Sequence, residues 1–302
     1  MPTYKITLAY DGTDYIGWQR QAAGTSIQGL LEDALGEFGD GEIAVSGAGR
    51  TDAGVHALAQ VASFALLRAV AADTVVRALN AKLPEAVRVT SAVEVVASFH
   101  ARFDARAKTY RYRIWNGDVM PPFERRYAWH VPGTLDVDAM RRAATLIEGE
   151  HDFAAFQSSG SDVATTVRRI AVSRIADCGL RIADSPMLSA ECRSRNAESD
   201  LRDSALRTPP SALLEYEVTA DGFLRHMVRA IVGSLIDVGR GRQAPDWVTD
   251  VLASRERSTA GRSAPAHGLF LVSVEYADVI RTEPRDVVVN SRFTHEGPRN
   301  VP

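Results

Sequence analysis

An α+β fold of two tandem ferredoxin-like units, each a mainly antiparallel sheet with helices on one face, is predicted by three features of the sequence. Periodic segments occur in the order β-α-β-β-α-β, and then in that order again. The length of 302 residues suits about two domains of roughly 150 residues each. With 45% hydrophobic and 24% charged residues, the composition is that of a globular chain able to bury a sizeable core.

The elements follow in chain order. YKITLAY alternates, with Ile6, Leu8 and Tyr10 on one face, as a half-buried strand does. In SIQGLLEDALGEF, Ile27, Leu30, Leu31, Leu35 and Phe38 share one helical face, and Ser26 is placed to cap the start. A short strand at EIAVS, a strand within LAQVASFAL, a helix from Ala72 to Leu83 and a strand at VRVTSAVEV complete the first unit. The second opens with a strand at KTYRYRIW and a helix at DVDAMRRAATLI, with Leu146 and Ile147 facing inward. Strands follow at VRRIAVSRIAD and LLEYEVTA, and Leu224, Met227, Val228, Ile231 and Leu235 mark a helix. A short extra helix at PDWVTDVLAS precedes the last strand, GLFLVSVEY. The expected division is 1–106 and 107–279, with an inserted segment at 177–211 and a polar tail at 280–302.

MPTYKITLAY has no basic stretch followed by an apolar run, so no signal peptide is expected. The most apolar later stretch, VRAIVGSLIDVGRG, is cut by charge and glycine short of the roughly 20 residues of a bilayer span. A cytoplasmic location is the expectation. Cys178 and Cys192 make neither a disulfide framework nor a Cys-x-x-Cys metal pair, and are assigned to packing or surface.

The net charge of −3 conceals clustering. Between His100 and Arg113, Arg102, Arg106, Lys108, Arg111 and Arg113 face only Asp104. Arg225, Arg229, Arg240 and Arg242 form a second island against Asp237. Two basic islands in a slightly acidic chain suggest a localised anionic ligand, whose binding would weaken with salt as counterions are released. Biased base composition explains most of the arginine excess in the bland reading.

The stretch GAGRTDAGVHA, Gly47 to Ala57, carries the chemistry. It is no Walker loop, because it contains no lysine, and no dinucleotide loop, because Asp52 stands where the third glycine belongs. Asp52 and His56 are too few for a metal site. A plain glycine-rich turn with a surface aspartate remains open at this point. Against it, Arg50 and Asp52 fall on the same side of an extended segment, and a nearby arginine favours the ionised carboxylate. Such a group suits nucleophilic attack rather than acid catalysis. Glycosidic hydrolysis normally takes a second carboxylate, and none accompanies the loop. A bond exchange without water fits better.

GRTDAGVHA resembles the signature of the TruA-type tRNA pseudouridine synthases. YDGTDYIGWQRQ with SIQG, FHARFDARAKTYRYRIWN, HDFAAF, GFLRHMVRAIVGSLIDVGRG and SAPAHGLFLVSVEY occur in that family's order, and together cover most of Tyr4 to Tyr276. The resemblance implies isomerisation of uridine to pseudouridine in the anticodon stem-loop of tRNA, at positions 38, 39 and 40, with no cofactor and no metal. It implies a homodimer whose chains each flank a basic cleft with two ferredoxin-like domains. Carried over by motif, Asp52 is the nucleophile, Arg50 helps hold the flipped nucleotide, Tyr110 stacks on the target base, and Arg229 pairs with Asp52. Replacing lost base stacking with an aromatic face returns roughly 1–3 kcal/mol, comparable to the cost of flipping. Read from its strand alone, Tyr110 is a core residue beside Tyr112 and Ile114, and Arg229 is an arginine reaching solvent. His56, His226 and His267 are assigned structural or RNA-contact roles, Gly17 and Trp18 packing, and Arg102, Arg106, Arg111 and Arg113 phosphate contacts, with solvated surface the alternative for at least half of the four. The segment 177–211 departs from the family, whose relatives cross here by a short turn.

Overall fold

The computed structural model describes residues 1–36, 41–158, 160, 163–178 and 212–277. Phe38, most of the expected insertion and the polar tail lie outside the described residues.

Alternation makes the first strand, β1 (Thr3–Tyr10), and buries Tyr4, Ile6, Leu8 and Tyr10 on one side. Helix α1 (Ile27–Gly36) starts where the Ser26 hydroxyl accepts the Gly29 N–H at 3.1 Å, and buries Ile27, Leu31 and Leu35. β2 is only Ser46–Gly47. The expected strand at EIAVS is shortened because side chains of α1 take its backbone groups: Gln28 donates to the Val45 carbonyl at 3.0 Å, and Val45 N–H donates to Glu32 at 3.3 Å. β3 (His56–Ala65), α2 (Ala72–Lys82) and β4 (Val87–Val95) follow.

β5 (Ala105–Trp115) opens the second half. After it come β6 (Trp129–His130), α3 (Val137–Thr145), β7 (Gly149–Asp152), β8 (Val167–Asp177), β9 (Leu213–Ala220), α4 (Met227–Gly239), α5 (Trp247–Ser254) and β10 (Leu269–Tyr276). The Asp136 carboxylate caps α3 by accepting the Ala139 N–H at 2.8 Å. β6 and β7 were not expected; two and four residues are too few for a periodic signal.

All ten strands join one mostly antiparallel sheet, in the order β4-β1-β3-β10-β5-β9-β8-β7, with β2 on β3 and β6 on β5. The join between first-half and second-half strands is a short parallel contact of β3 with β10, where His56 meets Phe270 and Ala57 meets Leu271. The inward residues of β1, β5 and β9 form one cluster with α1, α2, α3 and α4. Each fully buried leucine or isoleucine there contributes roughly 1.5–3 kcal/mol. Helix α4 buries 11 of its 13 residues, so it is a central helix rather than a surface one. Its first turn faces the glycine-rich loop.

Cys178 is disulfide-bonded as well as packed against Trp115, Ala128 and Leu213. This corrects the expectation of packing or surface alone. No helix among the described residues is long and apolar enough to cross a membrane.

Candidate active site

The loop between β2 and β3 presents Asp52, and its neighbours are fixed by hydrogen bonds from three directions. Thr51 is buried, and its hydroxyl meets the Tyr10 hydroxyl of β1 at 2.8 Å. Its carbonyl accepts the Trp18 N–H at 3.0 Å. Gln60 of β3 donates to the Gly49 carbonyl at 2.9 Å. Beyond Asp52 the chain turns at Gly54, whose φ of +78° is a left-handed conformation suited to glycine. Val55 N–H then returns to the Asp52 carbonyl at 3.1 Å.

His56 locks the base of this loop. Its Nδ1 accepts the Gly12 N–H at 3.0 Å, and Nε2 lies 3.1 Å from the carbonyls of Arg126 and His267. The ring is buried and stacks on Phe270 at 4.6 Å. Burial pushes its titration below the ordinary histidine value, against the pull of Asp11. With Nδ1 accepting the Gly12 N–H and lying 3.1 Å from Asp11 Oδ1, Nε2 is the nitrogen placed to donate to the two carbonyl oxygens.

The carboxylate meets bases that lie far away in sequence. Arg229 donates from Nη1 to Asp52 Oδ2 at 3.4 Å, across 177 positions. The guanidinium is itself braced, since Nε donates to the Ala264 carbonyl at 2.7 Å and Ala264 N–H donates to the Arg229 carbonyl at 2.9 Å. His226 brings Nε2 to 3.4 Å from the same Oδ2. Both bases belong to the N-terminal end of α4, where the helix dipole favours an anion. Asp52 keeps 28% of its side chain exposed and Arg229 keeps 17%, so the pair is half open to solvent.

Tyr110 of β5 lies beneath. It is 7% exposed, meets Phe223 edge to face at 5.0 Å, and packs in the main core with Tyr112 and Ile114. Burial chiefly drives its phenol up, with further contributions from Tyr10 and Asp52. Lys108, two residues earlier, is pushed down by burial and then by Arg102 and Arg168, and its ammonium lies beside Gly49. No carboxylate among the described residues pairs with it within 4.0 Å.

Arg50 is exposed and makes no ion pair with Asp52 within 4.0 Å. The guanidinium beside the carboxylate is that of Arg229, and sequence proximity misled. Of the first basic island, Arg102 and Arg106 are exposed. Arg111 instead pairs with Glu215 at 3.3 Å and Glu217 at 3.1 Å, and Arg113 with Glu124 at 3.0 Å. The expected phosphate contacts of Arg111 and Arg113 are therefore corrected: carboxylates of the neighbouring strand, with Glu124 of a turn for Arg113, already pair with them. From the sequence His226 had only a structural or RNA-contact role and Ser158, which meets it, had none. The i, i+3 spacing of His226 and Arg229 in RHMVR was the available signal.

Comparison with known proteins bears on what this arrangement is. The sequence model of the family described as tRNA pseudouridine synthase matches residues 6–104 and 143–277. The chain is 44% identical over 283 residues to tRNA pseudouridine synthase A of Solidesulfovibrio magneticus, covering 91% of this chain and 92% of that protein. It is 41% identical over 278 residues to that of Moorella thermoacetica, covering 91% and 100% respectively. Against that of Myxococcus xanthus it is 40% identical over 278 residues, covering 92% and 93%. With most of its length aligned at this identity, the chain belongs to the tRNA pseudouridine synthase family.

Proposed function

We propose that this protein converts uridine to pseudouridine in the anticodon stem-loop of tRNA, at positions 38, 39 and 40, with Asp52 as the nucleophile. The observation that carries the site assignment is the contact of Asp52 with Arg229 at 3.4 Å, made in a loop that opens to solvent. In the reaction the uracil N1–C1′ bond breaks, the base turns, and a C5–C1′ bond forms. The C5 hydrogen leaves to solvent and N1 acquires a proton, so the product is an isomer. An ionised carboxylate supplies the electron pair, and no general acid or cofactor is required of the site.

The flipped base would enter over Tyr110, whose hydroxyl end is near Asp52, with Arg50 on the rim to hold the extruded nucleotide. Lys108, Arg102 and Arg106 supply positive charge for the phosphates on either side. The strand orders β4-β1-β3-β2 and β10-β5-β9-β8 repeat one pattern. That repeat supports reading 1–106 and 107–279 as two ferredoxin-like domains that flank the cleft. A homodimer in the cytoplasm completes the reading.

The test is tritium release from tRNA carrying 5-tritiated uridine. The wild type should release tritium, undiminished in EDTA with folded tRNA. Asp52→Asn should release none while keeping its tRNA affinity. An active Asp52→Asn would refute the role of Asp52, and a wild type that binds tRNA without release would make the chain a binding protein.

A further inference from the structure

We infer that His226, backed by Ser158, is a positioning residue that clamps one oxygen of the Asp52 carboxylate and leaves the other free to react. This rests on the reading of Asp52 as nucleophile. Two nitrogens converge on Oδ2 at 3.4 Å each: Arg229 Nη1, which donates a hydrogen bond, and His226 Nε2, which lies within ion-pair distance. No side-chain donor among the described residues reaches Oδ1. Contacts of this length commonly tighten in a complex with substrate.

The far side of the imidazole is fixed as well. His226 Nδ1 lies 2.8 Å from the Ser158 hydroxyl. Ser158 is held in turn by its N–H, which donates to the Arg225 carbonyl at 3.1 Å, and it follows the buried Phe153–Phe156 segment. If the serine hydroxyl donates to Nδ1, the ring proton sits on Nε2, the nitrogen on the side of the carboxylate. The second nitrogen of a functional histidine sets its tautomer in this way.

The backbone argues that the side chain is the reason for the residue. His226 has φ +61° and ψ +5°, left-handed values at the residue preceding α4. Glycine adopts that conformation with less strain, and histidine is among the few other residues that take it, so the imidazole is kept where glycine would serve the backbone better. A purely structural position would be served better by glycine.

Burial and most of the charges around the ring disfavour its protonation. It faces Asp52 from the loop, Arg229 from α4, Arg225 from the turn before α4, and Arg257 from the turn after α5. Burial first, and then the three arginines, push its titration below the ordinary histidine value, while Asp52 alone pulls it up. Protonation at lower pH would turn the clamp into an ion pair and draw negative charge out of the attacking group.

The experiment is single-turnover tritium release at saturating tRNA, with tRNA affinity and melting temperature measured on the same proteins. His226→Gly removes the side chain and relieves the backbone. The expected outcome is a rate lower by about 10- to 100-fold, the scale of a misplaced reacting group. Affinity should be unchanged, the melting temperature equal to or above wild type, and the acid limb of the pH–rate profile shifted to lower pH. Ser158→Ala should slow the reaction less, and add little on top of His226→Gly. A wild-type rate and acid limb in a folded His226→Gly would overturn the inference. If Asp52→Asn is inactive in the same assay, that failure belongs to His226 alone; if Asp52→Asn is active, the underlying reading has failed first.

Discussion

Gly17 has φ +103°, and a Cβ there would lie 2.5 Å from the Thr51 carbonyl oxygen and 2.9 Å from the Asp52 carbonyl carbon. The loop carrying Trp18 can therefore lie directly against the segment that aims the carboxylate, and only glycine allows it. Gly17→Ala combines backbone strain with a displaced loop. It should lower stability by about 1–3 kcal/mol and reduce single-turnover tritium release more than tRNA binding. Denaturant unfolding and the release assay would check this, and equal losses of rate and affinity would contradict it. Much at this scale was legible in the sequence. Glycines packed around one aspartate mark a loop that other backbone approaches, and the spacing of the family motifs singled out Arg229. The nearest arginine in the sequence was the wrong partner, because Arg50 lies outside while the buried end of α4 brings Arg229 inward. Gly17 and Trp18 were assigned to packing, and their contacts with Thr51 are of that kind.

At the scale of elements, the strands and helices with strong periodicity fell where alternation and helical spacing put them. The misses were short. EIAVS lost its ladder to side chains of α1, and β6 and β7 exist because a neighbouring strand offers free backbone groups. Neither effect is written in a local pattern. The element that matters most for the site is α4, and it is seated by small residues. A Cβ on Gly233 would lie 1.7 Å from the Arg262 carbonyl oxygen, and the Ser234 hydroxyl accepts the Gly261 N–H at 2.9 Å. The same approach brings Ala264 to Arg229, so the packing of α4 and the aim of the guanidinium are one arrangement. Gly233→Ala must move backbone apart. It is expected to lower the melting temperature by several degrees, from about 3 kcal/mol of overpacking, and to depress activity even where the protein stays folded. A melting temperature within a degree of wild type would show that the seat is looser than the geometry implies.

For the whole molecule, acid sensitivity follows from its histidines. His56, His226 and His267 are all pushed below the ordinary value of 6.5, chiefly by burial. The unfolded chain then binds protons that the folded chain resists, so stability is present above pH 6.5 and is lost as the pH falls through the folded values. Glu215 acts with the opposite sign. Burial raises its carboxyl above 4.5 despite Arg111 and Arg113, so its contribution is present at low pH and lost as the pH rises through its folded value. Three histidines against one carboxyl predict a melting temperature lower at about pH 5.5 than at about pH 7.5. A flat or rising trend on acidification would mean that the histidines titrate as they do in an unfolded peptide. The repeated element order was visible in the sequence, but the single sheet was not. Its join pairs segments more than two hundred residues apart, and such pairing leaves no trace in local periodicity.

That join has a consequence for how the site is assembled. The Asp52 carboxylate and the bases that meet it come from opposite sides of a two-rung parallel contact, steadied by His56 stacked on Phe270. A molecule with only its first portion would keep the loop but lack Arg229 and His226, the two bases that meet Asp52. The group around Asp52 is complete only when the second half has docked on the first.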